Sequence, residues 1–229
     1  MGRAKDIIIK VIPSKIANDF VKKYHYSGKV VPNSKIHFGC FLNGKLHGVL
    51  SYGASMDKRK VAQTVSETGW NEFIELNRMA FDEELPKNSE SRCISVTIKM
   101  IKKKAPHIKW IVSYADAAQC GDGTIYRASG FFLIGIKKNV QMLEWKGKII
   151  AKKTLDNKNY PMINGRYFSR HLIEKGEAIA IPGFQLKYIY FIDKEAKNNL
   201  TVPILPYNKI DEIGAGMYKG EKVKVADRK

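Results

Sequence analysis

Acidic side chains are scarce in this chain. Its 229 residues include 22 aspartates and glutamates against 40 lysines and arginines, which gives a formal net charge of +18 at pH 7. So large an excess of one sign is more than solubility requires, and it favours a polyanionic partner, since lysine and arginine release counterions when they neutralise phosphates. The charge therefore favours nucleic acid as a partner, with an anionic membrane surface as the weaker second.

Cysteines and long apolar runs are also few. Cys40, Cys93 and Cys120 have no paired spacing and form no CxxC motif, so we expect a reducing compartment and no zinc site. Cys120 could be a nucleophile, although a structural role is the commoner one for a small side chain near a turn. No apolar run approaches the roughly 20 residues that span a bilayer, and the first residues do not resemble a signal peptide. We expect a cytoplasmic protein with no membrane partner.

The chain has no internal repeat, no helix-turn-helix pattern and no zinc-finger spacing, so strong sequence readout is not predicted. A hydrophobic content of 44% is ordinary for a globular protein and predicts a sizeable core. The length fits a core with an extension. We place the core at residues 1–140 and an extension packed on it at residues 141–229, ending in a mobile basic tail.

The N-terminal part predicts a strand, a helix and a hairpin. Residues 7–12 are typical of a short strand, and Ser14 is a candidate N-cap for a helix over residues 15–24. Ile16, Phe20 and Tyr24 recur at helical spacing and predict its core-facing side. Asn-Gly at residues 43–44, between apolar runs 36–42 and 45–52, predicts a tight hairpin. Residues 53–70 are polar and predict a loop.

The central stretch predicts a parallel βαβ unit. A strand over residues 74–81 is followed by a polar turn and a helix over residues 93–104, where Ile94, Ile98 and Ile101 mark one face. A strand at residues 110–114 runs into Asp116, and a short helix at residues 124–128 precedes a strand at residues 131–135. Beyond residue 137 the pattern predicts a hairpin at 142–150, a helix at 166–175 and a strand at 187–192.

The order of these elements resembles the GNAT acyltransferase fold, and the residues themselves resemble a narrower family. The resemblance is carried by Leu76-Asn77-Arg78-Met79, Asn88-Ser89-Glu90-Ser91-Arg92, Ser113-Tyr114-Ala115-Asp116 and the segment 123–131, which are similar to the Mom family of phage DNA-modification proteins. It implies an α/β protein with a GNAT-like mixed central sheet flanked by helices and a C-terminal basic extension. It also implies conversion of adenine in double-stranded DNA to N6-(carbamoylmethyl)adenine, which protects the DNA from restriction.

Four residues become candidates for catalysis under this resemblance: His25, Tyr26, Asp116 and Tyr126. A neutral imidazole can accept a proton from an amine, Tyr26 can orient or stack a base, and Tyr126 can protonate a leaving group. Asp116 ends a predicted parallel strand, where open α/β sheets bind ligands. The alternatives are an aromatic-rich helix end at residues 25–26, and a capped turn with a packed tyrosine. His25, Asp116 and Tyr126 could instead ligate a transition metal such as iron, although no local metal motif supports this.

The donor site is predicted at the turn before the long helix. Ser89, Ser91 and Arg92 occupy the position where GNAT enzymes hold the pyrophosphate of coenzyme A, and Arg78 could pair with Asp116 or meet a phosphate. The turn lacks glycine, however, and Glu90 opposes an anion, so an ordinary helix N-cap cluster is an equal alternative. The donor is either acyl-CoA or glycyl-tRNA, in which case tRNA is a second partner.

Basic groups interleaved with aromatic residues predict the contacts with nucleic acid. The candidates are Lys58, Arg59, Lys60, Lys152 and Lys153. Two other functions remain open: a conventional GNAT N-acyltransferase that uses acyl-CoA on a protein or small amine, and a non-catalytic nucleic-acid-binding module.

Overall fold

The computed structural model describes residues 3–118 and 121–216. In those residues, seven strands form one sheet in the order β1-β2-β3-β4-β5-β10-β6, and three form a second in the order β8-β7-β9. The strands are β1 (Ile8–Val11), β2 (Ser34–Leu42), β3 (Lys45–Gly53), β4 (Phe73–Phe81), β5 (Trp110–Asp116), β6 (Phe132–Lys138), β7 (Met142–Trp145), β8 (Lys148–Ala151), β9 (Ala178–Ala180) and β10 (Phe184–Phe191). The helices are α1 (Ser14–Tyr24), α2 (Lys58–Ala62), α3 (Ser89–Lys104), α4 (Thr124–Ala128), α5 (Lys152–Leu155), α6 (Phe168–Glu174) and α7 (Lys209–Glu212), with 3₁₀ turns at Arg3–Asp6 and Glu195–Asn199.

The chain divides into two compact units. The first comprises Met1–Tyr114, Gly123–Gly135 and Lys187–Pro206, and the second comprises Ala115–Asp122, Ile136–Leu186 and Tyr207–Lys229. Most of the seven-stranded sheet belongs to the first unit, and the three-stranded sheet to the second. The sequence analysis placed the boundary between core and extension at residue 140. Strand β10 of the large sheet lies beyond that boundary. The predicted mobile tail lies beyond residue 216, outside the described residues.

The large sheet is mixed, as the sequence predicts. Strands β1 to β4 pair antiparallel in chain order, whereas β4 and β5 pair in parallel. The hairpin between β2 and β3 turns at Asn43 and Gly44, which both have positive φ, at 51° and 77°. Positive φ at both central residues is typical of the two-residue hairpin turn whose twist matches that of the flanking strands. The predicted hairpin is therefore confirmed.

Helix α1 differs from its prediction at both its start and its buried face. Pro13, not Ser14, is the N-cap, and no side chain caps the helix. The face that packs on the sheet consists of Ala17, Phe20 and Val21, against Val49 of β3 and Ala80 of β4. Of the predicted stripe, only Phe20 is buried, whereas Ile16 is 47% exposed and Tyr24 is 37% exposed. Ala17 is not part of the predicted apolar stripe, but its small side chain is fully buried in this contact.

Helix α3 confirms the predicted βαβ unit between β4 and β5. Ile94, Ile98 and Ile101 are buried as predicted. The helix begins earlier than predicted, at Ser89, so the polar turn of the sequence is its first turn. Tyr52 of β3 contacts α3 through Thr97. Because successive residues of a strand point to opposite faces, Tyr52 and Val49 place α3 and α1 on opposite faces of the sheet.

The predicted loop at residues 53–70 contains helix α2, which was missed. Asp57 caps it, since its Oδ1 accepts a hydrogen bond of 3.3 Å from the Lys60 amide. Val61 packs into the core that Phe73, Trp110 and Ile189 form. A helix of one turn carries too little periodicity to be read from sequence, and the aspartate cap was its available signal.

The second unit has its own small core. Leu143, Leu155, Leu172 and Ala178 are buried there, with aromatic rings of Trp145, Tyr160 and Phe168 packed around them. The predicted hairpin turns at Lys146 and Gly147, both with positive φ, and is confirmed. Among the described helices, none has the combined length and apolar character that crossing a bilayer would require.

Candidate active site

Strands β4 and β5 part midway along their length. The parallel ladder pairs Phe73 with Trp110 and ends where Glu75 pairs with Val112, although both strands continue. On the other edge of β4, the register with β3 shifts at Asn77, which has no paired residue in the β3 ladder. Asn77 is therefore the extra residue of a β-bulge. A bulge re-aims side chains and ends pairing, so the sequence around Asn77 opens a gap in the sheet of the first unit.

Glu75, at the start of this gap, is a residue that the sequence analysis missed. Burial raises the pKa of its carboxyl, and the Ser55 and Asn77 side chains, with the charges of Arg78 and Lys187, lower it less. The Ser55 side chain beside it is 3% exposed. The alternating pattern of β4 made Glu75 resemble a solvent-facing residue, so only its tertiary surroundings identify it as a site residue.

His25 and Tyr26 follow the end of α1, as predicted, and they lie together. Their ring centroids are 4.3 Å apart, and Tyr26 is 52% exposed. His25 Nδ1 lies 2.9 Å from Ser27 Oγ and accepts a hydrogen bond of 3.1 Å from the Ser27 amide. Burial and the charge of Arg78 lower the pKa of His25 to about 4. The imidazole is therefore neutral at physiological pH.

Arg78 is held by carbonyl oxygens. Its Nε donates to the Lys29 oxygen at 3.0 Å and its Nη1 to the Asn77 oxygen at 2.9 Å. These contacts tie the bulge of β4 to the loop that follows His25, and they place a cation beside the imidazole. Both predicted roles of Arg78, pairing with Asp116 and binding a phosphate, stay predictions.

Tyr126 lies on α4 and is buried. Its ring contacts Phe131 and Tyr188, with centroid distances of 5.4 and 5.3 Å. Gly123, the residue before α4, has a φ of +81°, and a Cβ there would lie 2.4 Å from Cε2 of Tyr188. Gly123 thus serves two purposes: it starts α4 from a left-handed conformation and it gives Tyr188 room to pack on Tyr126.

Asp116 lies in the second unit at the end of β5. Its Oδ1 accepts a hydrogen bond of 3.1 Å from the Ala118 amide, and its carbonyl accepts one of 3.2 Å from the Gly121 amide. An aspartate that binds the backbone amide two residues on forms an Asx turn, which here fixes the backbone at Ala118. Its predicted catalytic role stays a prediction.

The side chains predicted to cradle a phosphate are engaged within the protein. Ser89 is fully buried, and its hydroxyl donates to the Pro86 carbonyl. Arg92 Nε donates to the Ala4 oxygen at 2.6 Å, and its Nη2 to the Lys5 oxygen at 3.1 Å. Ser91 Oγ donates to the Asn88 oxygen at 3.2 Å. The α3 N-terminus is therefore built as a structural junction with the N-terminal segment.

The predicted nucleic-acid-binding residues begin two short helices, one in each unit. Lys58, Arg59 and Lys60 lie in α2, whereas Lys152 and Lys153 start α5. Lys58 Nζ lies 4.5 Å from the ring centroid of Trp70, a side chain that is 57% exposed, and burial lowers the pKa of Lys58. In the first unit, the exposed cations of Arg59 and Lys60 and the exposed indole of Trp70 suit phosphate and base contacts.

The described residues contain no group of three or more His, Cys, Asp and Glu side chains that could hold a metal ion. Cys40 and Cys93 are buried thiols, and the contact with Cys93, together with burial, raises the pKa of Cys40. Neither has the exposed, electropositive surroundings of a reactive thiolate. Cys120, the cysteine that the sequence analysis considered as a nucleophile, lies outside the described residues.

Comparison with known proteins places the chain in a family. Solved structures that it resembles include an IAA acetyltransferase from Bacillus cereus, with 11% identity, 81% of this chain and 99% of that one covered, and a TM-score of 0.45. The ribosomal-protein-S18-alanine N-acetyltransferase from Escherichia coli matches at 12% identity, with 82% and 94% covered and a TM-score of 0.44. Because both TM-scores are below 0.5, nothing about the reaction follows from these structures.

Sequence comparison is more specific. The chain is 31% identical over 210 residues to the methylcarbamoylase mom of Escherichia phage Mu, an alignment that covers 90% of this chain and 85% of that protein. The model of the Mom protein family matches residues 6–209, which include parts of both units and every candidate site residue described above. The chain belongs to the Mom protein family.

Proposed function

We propose that this protein is a DNA-modifying transferase that converts adenine into N6-(carbamoylmethyl)adenine and so protects DNA from host restriction enzymes. Membership of the Mom family, whose relative in phage Mu is named a methylcarbamoylase, is the observation that carries the proposal. The reacting amine of adenine lies in the base-pairing edge, so the base must leave the duplex to react. The exposed Tyr26 ring offers a surface on which such a base can stack.

Nucleoside mass spectrometry of DNA from cells that express the protein tests this function. We expect a deoxyadenosine that is heavier by one carbamoylmethyl group, and its absence from cells that carry the empty vector. An acylated protein or small amine with unmodified DNA would instead indicate a conventional N-acyltransferase. Unmodified DNA that the purified protein still binds would indicate a nucleic-acid-binding module.

The donor that we propose is glycyl-tRNA. Acetyl transfer from coenzyme A would leave a carbonyl on the adenine nitrogen, whereas the carbamoylmethyl group has a methylene there and an amide beyond it. Glycine supplies both the methylene and the second nitrogen. The hydroxyls and guanidinium at the start of α3, where a coenzyme A phosphate would lie, are engaged with backbone carbonyls, which also favours a donor of another kind.

The reaction balances in two steps. In the first, the adenine amine attacks the ester carbonyl of glycyl-tRNA, and the tRNA hydroxyl leaves. In the second, the glycyl amine attacks C6 of the purine through a five-membered ring, and the bond between C6 and the original N6 breaks. The original N6 becomes the amide nitrogen, and no oxidant, reductant or further reactant is consumed.

Glu75 and Tyr126 are the proposed proton carriers of the first step. Glu75 lies where β4 and β5 part, and its raised pKa makes it a better proton acceptor than an exposed carboxylate. Tyr126, which is 7% exposed, can protonate the departing oxygen of the tRNA. The amine proton passes to Glu75, and the alkoxide receives its proton from Tyr126.

The proposed rearrangement predicts the position of the glycine nitrogen in the product, and isotope labelling measures it. DNA that is modified in vitro with tRNA carrying ¹⁵N-glycine should contain the label on the nitrogen bonded to C6. Hydrolysis of the product amide should then release unlabelled ammonia, which derives from the adenine. Labelled ammonia would disprove the rearrangement, and modification by acyl-CoA with the RNA removed would disprove the donor.

Salt dependence tests the role of the charge of +18. We expect DNA affinity to fall by about 10³-fold or more between roughly 50 and 200 mM salt and to depend weakly on sequence. Changing Lys58, Arg59 and Lys60 together to glutamine should flatten the salt slope, measured by fluorescence anisotropy. The same change at Lys102, Lys103 and Lys104, on the last turn of α3, is the control of equal charge. Equal slopes for both triple variants would mean that α2 has no special part in binding.

A further inference from the structure

The imidazole of His25 is fixed in position by its own short segment. The His25 amide donates to the Val21 carbonyl at 3.0 Å, and the His25 carbonyl accepts from the Gly28 amide at 2.8 Å. The Tyr26 ring lies against one side of the imidazole. Backbone and ring are thus both restrained, so the direction of each ring nitrogen is part of the fold.

Ser27 determines which ring nitrogen carries the proton. The Ser27 amide can only donate, and it points at His25 Nδ1 from 3.1 Å. Ser27 Oγ, at 2.9 Å from the same nitrogen, accepts a hydrogen bond from the Lys29 amide at 3.3 Å and has its own proton to give to the imidazole. Nδ1 is therefore an acceptor, and a neutral imidazole in this place carries its proton on Nε2.

Burial, with the charge of Arg78, keeps the imidazole neutral. Together they hold the pKa of His25 at about 4, and the Arg78 guanidinium is fixed by the Lys29 and Asn77 carbonyls. An imidazole of this kind is a weak proton acceptor on both nitrogens: Nδ1 is already occupied, and Nε2 has no free electron pair while it holds a proton.

We propose that His25 acts as a hydrogen-bond donor to the carbonyl oxygen of the acyl donor through Nε2–H, with Ser27 as the positioning residue that fixes this tautomer. The choice of the carbonyl rests on the proposed function. Negative charge develops on that oxygen when the amine attacks, and a neutral donor beside a fixed cation stabilises it without having to release a proton. The task of accepting the amine proton then belongs to another residue.

Nitrogen-15 NMR of the imidazoles tests the tautomer without reference to activity. The chain has five histidines, so the spectrum is simple, and loss of one signal in the His25→Gln variant assigns His25. Long-range proton–nitrogen correlation should show a neutral ring with its proton on Nε2 from about pH 5.5 to 9. A proton on Nδ1, or titration near the ordinary value of about 6.5, would overturn the assignment. Either result is independent of whether DNA is modified.

The role in transfer is tested by comparing His25→Gln with His25→Ala. Glutamine can donate through its amide but cannot accept the amine proton. We expect the alanine variant to lose about 100-fold or more in single-turnover rate and the glutamine variant to recover at least about 10-fold of it. Ser27→Ala removes the hydroxyl but keeps the amide that donates to Nδ1, so its imidazole should stay in the Nε2–H form and its DNA affinity should not change. Glutamine as inactive as alanine would overturn the donor role.

Discussion

Tyr126→Phe is expected to lower the rate of adenine modification by about 100-fold or more. The change removes the hydroxyl that we propose as proton donor to the leaving oxygen. It keeps the ring that packs on Phe131 and Tyr188 at centroid distances of 5.4 and 5.3 Å. The loss should therefore appear in single-turnover rates at saturating DNA and donor, with DNA affinity and melting temperature close to those of the unchanged protein.

Tyr190→Phe is the matched control, because Tyr190 also packs on Phe131, with a centroid distance of 5.3 Å, and also loses only a hydroxyl. It should keep its rate. A Tyr126→Phe protein with an unreduced rate would remove this hydroxyl from the chemistry. Equal losses in both variants would mean that the rates report packing around Phe131 instead of proton transfer.

Local elements were readable from the sequence where a short stretch carries the whole signal. Asn43 and Gly44 define their hairpin by backbone preference, and α4 was predicted with the bounds that the structure has, Thr124–Ala128. Ile94 and Ile98 marked the buried face of α3 because a helix repeats its contacts every turn. In each case the physical cause lies within a few residues of its effect.

The candidate site was readable only in part, since its decisive contacts join distant residues. Arg92 is predicted to bind phosphate, and its guanidinium donates to the carbonyls of Ala4 and Lys5, which lie 88 and 87 residues away in sequence. Glu75 was missed because its raised pKa arises from burial, which no local pattern records. The insertion of β10 between β5 and β6 is likewise a long-range event. His25 was identified by resemblance, while its tautomer follows only from the turn at Ser27.

Gly123→Ala is expected to destabilise the protein by about 3 kcal/mol or more, the largest stability effect that we predict for a single methyl group. Gly123 has a φ of +81°, in the left-handed region that L-residues avoid. A Cβ there would lie 2.4 Å from Cε2, 2.8 Å from Cζ and 2.9 Å from the hydroxyl of Tyr188. Tyr188 is fully buried and packs on Tyr126, so it cannot yield without disturbing both rings.

Gly44→Ala separates the two causes of this loss. Gly44 has a similar φ of +77°, but a Cβ there meets nothing within 4 Å. This control should lose only the stability that the left-handed backbone costs an L-residue, about 1–2 kcal/mol in the free energy of unfolding measured by urea denaturation. Gly123→Ala should also slow adenine modification, because the Gly123 carbonyl accepts the hydrogen bond of 2.9 Å from the Tyr126 amide and the clash displaces the ring beside it. Equal destabilisation of the two variants would show that Tyr188 accommodates the methyl group and that only the backbone at Gly123 requires glycine.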